Sequence, residues 1–452
     1  ESNLKKRFFS FLTAFVILVS VITPIESFAA STSKYTPPFE LDAKGVFLIN
    51  TDTNEVIYEK NSSEKMYPAS TTKIMTAILA LELVPDLEHT EVTMKSYIQN
   101  EMYIKNMESM KLYGGGISLG GFLQGETITM DKLLYAALLP SANEAAMMIA
   151  DYVGDGSVDY FVELMNKKAQ ELGAVNTHFT NPHGLHDPDH YTTPYDMYLI
   201  AKYAMQNPTF VKIVNTTSYD GGPTNIHDTL QWNGTNSMIK KSSQYYSPYV
   251  SGIKTGTTEE AGGCFISSAS KDGYNYMMVM MGCPTELVNE QNVRFYETKK
   301  LYDWVFTTFK VKTIMEKGEI LAETGLRLAR DSKKDHIKLM SGDRITALVP
   351  DEIDVTSVTT TFEVPKMVNS PVKKGDLIGS ASFILAGETI GSVPLVAAEN
   401  IEASTIKIYL DNALSLTETF WFKFVIIFVV TIIISYSILA ILQNKRSKRT
   451  YK

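Results

Sequence analysis

The stretch Pro68-Ala-Ser-Thr-Thr-Lys-Ile-Met-Thr-Ala-Ile-Leu-Ala-Leu-Glu-Leu83 separates two kinds of sequence pattern and decides the fold class. Before it, residues 45–50 and 56–59 are apolar runs separated by turn-forming residues, which is typical of a β-hairpin. From Ser70 onward, the closely spaced apolar side chains predict a mostly buried helix instead. Ser70 and Lys73, three positions apart, would lie on one face of that helix.

Helical patterns continue after this stretch, and strand patterns return after Lys254. Further helices are predicted at residues 143–152, 161–172 and 289–309, and a β-hairpin at 262–270 and 274–283 around Lys271-Asp-Gly273. Strands at both ends of residues 35–310 therefore enclose a helical middle. We expect an α+β domain in which one antiparallel sheet, built from both termini, stands beside a helical lobe.

Residues 311–411 have a different texture, because short β-prone runs alternate there with Gly, Pro, Asp and Asn. This pattern predicts a small all-β domain. None of its residues suggests catalysis. Residues 412–419 would be a linker between this domain and the last segment of the chain.

Two segments are expected to lie outside the folded domains. Lys5-Lys6-Arg7, the uncharged run 8–22 and the small residues that end at Ala29 predict a signal peptide over residues 1–29. An N-terminal membrane anchor is the alternative, although the apolar run is short for a span. Residues 420–443 predict a transmembrane helix rather than a buried core helix, which would show a polar face. The basic tail, residues 444–452, would be cytoplasmic.

Charge and cysteine content exclude several classes of protein. The whole chain carries −8, of which residues 1–29 carry +1 and residues 420–452 carry +6, so residues 30–419 carry −15. An acidic ectodomain argues against nucleic acid as a partner, and recognition of an anion would need a local basic group. Cys264 and Cys283 are too few for a disulfide-stapled scaffold and match no zinc pattern. One bridge between them stays open, because the expected hairpin register is off by about one residue.

The candidate nucleophile is Ser70. A serine hydroxyl becomes reactive when a base takes its proton, and a lysine whose pKa is lowered by burial or by nearby positive charge can be that base. The spacing from Ser70 to Lys73 is by itself a weak signal, because eight other Ser-x-x-Lys matches occur. These begin at Ser2, Ser31, Ser62, Ser237, Ser251, Ser268, Ser370 and Ser404. Only after Ser70 does an apolar helix follow at once.

A second motif, Ser141-Ala-Asn143, lies at a break between two helical runs, just after Pro140. Its hydroxyl could pass on a proton, and its amide could hold Lys73 or a backbone group in place. The alternative is an ordinary helix cap, because Ser and Asn favour that position through local hydrogen bonds.

A third motif, Lys254-Thr255-Gly256-Thr257, leads into the last hairpin. A strand lysine beside a threonine could bind a carboxylate, and Gly256 would let a substrate backbone approach closely. A solvated lysine on a strand is the alternative.

Together the three motifs resemble the Ser-x-x-Lys, Ser-x-Asn and Lys-Thr-Gly elements of penicillin-binding proteins and serine β-lactamases, in the same order. Asn-Pro-His-Gly-Leu at 181–185 and His-Tyr-Thr-Thr-Pro-Tyr-Asp-Met at 190–197 are similar to phrases of low-molecular-mass serine D-alanyl-D-alanine carboxypeptidases. The resemblance covers about residues 39–309, and residues 311–411 resemble that family's C-terminal domain. It implies a penicillin-binding/serine β-lactamase-like transpeptidase fold.

The resemblance also implies a reaction. Peptidoglycan stem peptides ending in D-Ala-D-Ala would be the substrate, β-lactam antibiotics would bind covalently, and neither cofactor nor metal would be needed. Ser70 would attack the penultimate D-Ala carbonyl, with Lys73 as base. Ser141 would relay the proton to the leaving D-Ala, and Asn143 would orient Lys73 and the substrate amide.

Substrate binding is implied in the same way. Lys254 and Thr255 would hold the terminal carboxylate, and Gly256 would line the path of the substrate. The backbone N–H groups of Ser70 and Thr257 would form the oxyanion hole.

The enzyme would be a single-pass protein of the cell membrane with its catalytic domain outside.

Three features do not follow directly from the family pattern. Residues 113–125 are richer in glycine than expected, which puts the substrate preference in doubt but not the reaction. Many relatives end in an amphipathic helix on the membrane, whereas residues 420–443 predict a true span. The His and Asp residues within 183–190 suggest a metal site, but they lie in a Gly- and Pro-bearing loop, and the family mechanism needs no metal.

The competing functions are a β-lactamase and a non-catalytic penicillin sensor or wall-binding module. A β-lactamase would need a loop carboxylate that activates water, and no convincing Glu-x-x-x-Asn element stands between Asn143 and Lys254. A sensor would not need an intact Ser70 and Lys73. Endopeptidase or transpeptidase activity through the same acyl-enzyme stays open.

Overall fold

The computed structural model describes residues 35–447, which form two compact units that divide between Thr307 and Thr308. The expected signal peptide, residues 1–29, and the end of the expected basic tail, residues 448–452, lie outside the described residues. The second unit begins at Thr308 rather than at residue 311, because a strand already starts at Phe309.

The first unit combines strands from both of its ends with a helical middle. Its strands are β1 (Gly45–Asn50), β2 (Glu55–Lys60), β3 (Glu91–Thr93), β4 (Thr127–Thr129), β5 (Ser218–Gly222), β6 (Leu230–Asn233), β7 (Val250–Thr258), β8 (Gly262–Lys271) and β9 (Tyr274–Cys283). Its helices are α1 (Lys73–Leu83), α2 (Ser96–Tyr113), α3 (Met130–Leu138), α4 (Asn143–Val153), α5 (Val158–Glu171), α6 (Pro194–Ala204), α7 (Pro208–Val214) and α8 (Val293–Thr308).

The main sheet is antiparallel, with the strand order β2-β1-β9-β8-β7. This confirms the expected sheet from both termini. Helices cover both faces, so every residue of β1 is buried. On one face Phe47 packs against Tyr198 of α6, and on the other Phe265 packs against Phe295 of α8.

Helix α8 is shorter than the expected helix over residues 289–309. It begins only at Val293, because Val288 and Gln291 pair across a tight turn. The two residues between them, Asn289 and Glu290, have positive φ angles of 50° and 64°, which a right-handed helix does not contain.

Cys264 and Cys283 are both buried and both free. An extra residue in β9, between Met280 and Cys283, shifts the register, so that Gly263 rather than Cys264 is the partner of Cys283. A one-residue shift turns alternate side chains to opposite faces of a sheet. The bridge that the sequence left open is therefore absent.

The second unit is a β domain followed by two helices. Its strands are β10 (Phe309–Met315), β11 (Ile320–Arg327), β12 (His336–Ser341), β13 (Ile345–Pro350), β14 (Thr359–Glu363), β15 (Met367–Asn369), β16 (Leu377–Leu385) and β17 (Glu388–Ala397). Six of these strands form a sheet of order β14-β16-β17-β12-β11-β15, and β10 pairs with β13. Leu339, Phe383 and Leu395 lie in its core.

Most of the expected linker at residues 412–419 is helical. Helix α9 (Thr405–Glu418) begins inside the expected β domain, where the Ser404 side chain accepts a hydrogen bond from Lys407 N. Helix α10 (Phe420–Ser447) follows. Its segment Phe420–Leu442 has a mean hydropathy of 2.9 and none of it is buried, so it is long and apolar enough to cross a membrane.

Candidate active site

Ser70 and Lys73 meet where a short 3₁₀ turn (Ala69–Thr72) passes into α1. The Lys73 Nζ atom lies 3.1 Å from Ser70 Oγ, as the three-residue spacing predicts. Lys73 is completely buried, and its Nζ also donates to Asn143 Oδ1 at 2.8 Å and to His183 O at 2.7 Å. Three partners therefore hold this amine in one position.

The surroundings of Lys73 favour its neutral form. Burial is the main cause that lowers the pKa of Lys73 well below its usual value, and the positive charge of Lys254 lowers it further. The negative charge of Glu144 opposes these two effects. A buried amine with a lowered pKa can take a proton from a neighbouring hydroxyl at neutral pH.

Ser141 and Asn143 lie at the break between α3 and α4, and neither side chain caps a helix. The N-cap of α4 is Ala142, which makes no side-chain cap bond. The Ser141 hydroxyl instead accepts from Lys254 Nζ at 2.9 Å, while the Asn143 amide oxygen accepts from Lys73. Ser141 has a φ of +69°, an uncommon conformation for a residue other than glycine. Both side chains thus face lysines rather than the backbone of their own helix.

Lys254 lies on β7 and is buried, not solvated. Its Nζ donates to Ser141 Oγ and to Thr255 O, both at 2.9 Å. Burial first, and the positive charge of Arg294 second, lower the pKa of Lys254 to about 7. The Thr255 hydroxyl bonds the hydroxyl of Thr235. Lys254 therefore completes a second lysine–serine pair beside the first.

Gly256 brings β7 against the nucleophile. A Cβ atom at Gly256 would lie 2.9 Å from Ser70 N and 3.0 Å from Pro68 O. Only a glycine fits here without a shift of the backbone. The next residue, Thr257, is exposed.

Arg294, on α8, is a charged residue of the site that the sequence did not reveal. Its Nη1 donates to Gly256 O at 2.9 Å and to Thr257 Oγ1 at 2.7 Å. No motif surrounds it, and only the packing of α8 against the sheet brings it to β7. It adds a positive charge beside Gly256 and Thr257.

The backbone of the loop after Thr180 packs closely against the turn that carries Ser70. Gly184 has a φ of +82°, and a Cβ there would lie 1.9 Å from Ala69 O. Buried His190 bonds the Thr72 hydroxyl at 2.8 Å and accepts from Thr180 N at 3.0 Å, and burial lowers its pKa to about 3. Within residues 35–447, no group of three or more His, Cys, Asp or Glu side chains is arranged to hold a metal ion.

Comparison with known proteins agrees with this geometry. A family model described as D-alanyl-D-alanine carboxypeptidase matches residues 30–285, and one described as penicillin-binding protein 5, C-terminal domain, matches residues 309–403. The chain is 30% identical to the D-alanyl-D-alanine carboxypeptidase DacF of Bacillus subtilis (strain 168) over 421 residues, which cover 93% of this chain and 100% of the relative.

Solved structures show the same fold. The Streptomyces K15 DD-transpeptidase is 28% identical, with a TM-score of 0.52 over 60% of this chain and 99% of its own. The D-alanyl-D-alanine carboxypeptidase DacD of Francisella tularensis shares the fold at 22% identity, with a TM-score of 0.62 over 85% of this chain and 100% of its own. By its site, its domains and its relatives, this chain belongs to the D-alanyl-D-alanine carboxypeptidases, the low-molecular-mass penicillin-binding serine hydrolases.

Proposed function

We propose that the enzyme removes the terminal D-Ala from peptidoglycan stem pentapeptides through an acyl-enzyme on Ser70. The observation that carries this proposal is the 3.1 Å contact between Ser70 Oγ and the fully buried Nζ of Lys73. Lys73 is the base that takes the Ser70 proton as Ser70 attacks the penultimate carbonyl.

The hydrogen bonds of Lys73 support this role. A neutral amine has two N–H groups and one lone pair. Asn143 Oδ1 and His183 O each accept one N–H, which leaves the lone pair for the Ser70 hydroxyl. Asn143 therefore orients the base, and it is also placed to bond the substrate amide. This pre-set geometry is what proton transfer in the transition state needs.

Ser141 delivers a proton to the leaving group. Its hydroxyl accepts from Lys254, so the Ser141 proton is free to point at the amine of the departing D-Ala. Lys254, with a pKa of about 7, can replace that proton near neutral pH. Lys254 thus acts on Ser141, in addition to adding positive charge for an anionic substrate.

The oxyanion hole is formed by the N–H groups of Ser70 and Thr257. The close passage of Gly256 beside Ser70 N supports this proposal, because Thr257 is the next residue on β7. Such donors are typically worth about 3 kcal/mol each to the transition state.

The terminal carboxylate binds at the open end of β7. Arg294 and the hydroxyls of Thr255 and Thr257 are its partners there. Arg294 is the better candidate for the direct ion pair, because Lys254 Nζ already donates to Ser141 and Thr255, whereas only Nη1 of Arg294 donates to described residues and its Nη2 group makes no bond to them. A guanidinium can also bond a carboxylate with two parallel N–H groups.

The membrane topology is a separate proposal. We infer that α10 spans the membrane with the catalytic unit outside, because the basic residues after Gln443 favour the cytoplasmic side. Protease protection of the basic tail in sealed vesicles tests the orientation, and cleavage of the tail from the outside would reverse it.

The deciding experiment is mass spectrometry of the purified protein with a pentapeptide ending in D-Ala-D-Ala and, separately, with benzylpenicillin. Loss of one D-Ala and a penicilloyl adduct that lasts minutes support the proposal. Ser70→Ala should remove the adduct. Ser62→Ala, in another Ser-x-x-Lys match, should leave it intact.

The same experiment separates the competing functions. Regeneration of free enzyme within seconds would favour a β-lactamase. That outcome is not expected, because within residues 35–447 no carboxylate is hydrogen-bonded to Ser70 or Lys73. Formation of a peptide dimer would favour transpeptidation, the activity for which the Streptomyces K15 DD-transpeptidase is named.

A further inference from the structure

Glu144 is a buried carboxylate that the mechanism above does not use. It directly follows Asn143 on α4 and is only 2% exposed. Its Oε1 accepts from Gly120 N at 2.5 Å and from Gly121 N at 2.9 Å. Its side chain thus joins α4 to the glycine-rich loop.

The glycine-rich loop, residues 114–125, depends on such bonds for its position. A Cβ atom at Gly114 or Gly115 would meet nothing within 4 Å, and this part of the loop is held by hydrogen bonds from Ser109 Oγ to Gly115 O at 2.7 Å and from Ile117 N to Asn106 Oδ1 at 2.9 Å. Asn143 N donates to Ser118 O at 2.9 Å, which is a second tie between the loop and α4. Glycine-rich backbone loses much conformational entropy when it is ordered, so each tie matters for the geometry around Asn143.

The second oxygen of Glu144 shows that the tether is not the whole role. Oε2 is buried and has no hydrogen-bond partner among the described residues. A glutamine would accept the same two bonds from Gly120 and Gly121 without placing a charge in the interior. A buried charge is costly: burial raises the pKa of Glu144, the bonds from the Gly120 and Gly121 amides lower it, and the charge of Glu144 in turn raises the pKa of Lys73.

We propose that Glu144 is a positioning residue of the acylation step, which ties the glycine-rich loop to the Asn143 end of α4 and sets the electrostatic field at Lys73. This inference rests on Lys73 being the base for Ser70. It assigns the glycine-rich loop to the wall of the catalytic centre, through the bond from Asn143 to Ser118.

Four titratable groups either shift the pKa of Lys73 or have their own pKa shifted by its charge. Lys254 on β7 lowers the pKa of Lys73, and Glu144 on α4 raises it. His183 and His190, on the loop that packs against α1, are both buried with lowered pKa values, and the charge of Lys73 contributes to both. Glu144 is therefore the negative group in this set.

The test uses two substitutions and one matched control. Glu144→Gln keeps an acceptor for both glycine amides and removes the charge. Glu144→Ala removes the tether as well. Glu126→Gln is the control, because buried Glu126 holds the other end of the same loop through Leu123 N at 2.9 Å and precedes β4 rather than lying on α4. The second-order rate of Ser70 acylation by a fluorescent penicillin is measured against pH, together with the melting temperature.

The charge and the tether predict different changes. Lys73 must be neutral to act, so the acylation rate rises as pH passes its pKa. Loss of the Glu144 charge lowers that pKa, and the rising limb of Glu144→Gln should move to lower pH with a near-normal plateau. In Glu144→Ala the plateau should also fall, by roughly 10- to 100-fold, because the Asn143 end of the site loses its geometry. The pH–rate profile of Glu126→Gln should coincide with that of the unsubstituted protein.

The inference is overturned if the rising part of the pH–rate profile of Glu144→Gln coincides with that of the unsubstituted protein. A normal plateau rate in folded Glu144→Ala would overturn it as well. If Glu144→Ala does not fold, the limb of Glu144→Gln decides alone. Absence of label in the unsubstituted protein would reject the acyl-enzyme proposal and this inference with it. Labelled protein with identical profiles would reject only the role of Glu144.

Discussion

Replacing Arg294 with methionine should impair recognition of a substrate carboxylate much more than catalysis itself. Arg294 Nη1 is held by Gly256 O and Thr257 Oγ1, so the guanidinium is already placed at the open end of β7. Loss of one charge-assisted hydrogen bond costs roughly 1.5–3 kcal/mol, which corresponds to about 10- to 150-fold in kcat/KM. An amide-terminated peptide has no charge to pair, so it should lose much less.

The assay compares kcat/KM for a peptide ending in D-Ala-D-Ala with that for its terminal amide. Lys299→Met is the control on the same helix, because Lys299 makes a surface ion pair with Asp303 at 3.0 Å. Such pairs are worth about 0–1 kcal/mol. Lys254→Met should reduce both values, since Lys254 also bonds Ser141.

Equal losses on the acid and the amide in Arg294→Met would refute this reasoning. If Lys254→Met instead showed the acid-selective loss, the carboxylate site would belong to Lys254, as the sequence motif suggested. A lower melting temperature in Arg294→Met alone would not decide the question, because that variant also loses two bonds to β7.

Three further predictions follow from the buried groups. Gly256→Ala should slow acylation of Ser70, because the new Cβ would lie 2.9 Å from Ser70 N. The expected loss is roughly 10²- to 10³-fold, the effect of losing an oxyanion donor. Acylation rates within about twofold of the unsubstituted enzyme would contradict this. Lys254 has a pKa of about 7 when folded and about 10.4 when unfolded. Between these values the unfolded state holds more protons, so the free energy of unfolding should rise with pH; denaturant titrations at pH 7 and pH 9 should show a smaller rise in Lys254→Met, and an equal rise would count against a buried lysine. Cys264 and Cys283 are buried, and burial raises the pKa of Cys264 to about 11. Iodoacetamide should therefore label neither thiol in the native protein and both after denaturation without reductant, whereas fewer than two free thiols would indicate a bridge.

The secondary structure near the catalytic motifs could be predicted because its causes are local. The apolar pattern after Ser70 correctly predicted α1, and Lys271-Asp-Gly273 correctly predicted the hairpin of β8 and β9. Errors arose where a local signal had two outcomes. Ser404 begins a Ser-x-x-Lys match in the sequence, yet its side chain caps α9.

Long-range contacts could not be predicted from the sequence. Lys254 and Ser141 are 113 residues apart, and nothing in either motif predicts that they bond each other. Arg294 and Glu144 belong to no recognised motif, so only packing revealed them. The register that leaves Cys264 and Cys283 unpaired likewise depends on how β8 and β9 pair, with one extra residue in β9 next to Cys283.

The sequence by itself determined the helix that starts beside Ser70, the sheet from both termini and the identity of the three motifs, because spacing along a chain directly controls which side chains share a helix face or a strand face. Only the tertiary structure decided that Lys73 and Lys254 are both buried, that each is paired with a serine, and that Arg294 stands at the open end of β7. The reason is physical. A lysine becomes a base when water is excluded and another positive charge is near, and both conditions are supplied by residues that are distant in the sequence.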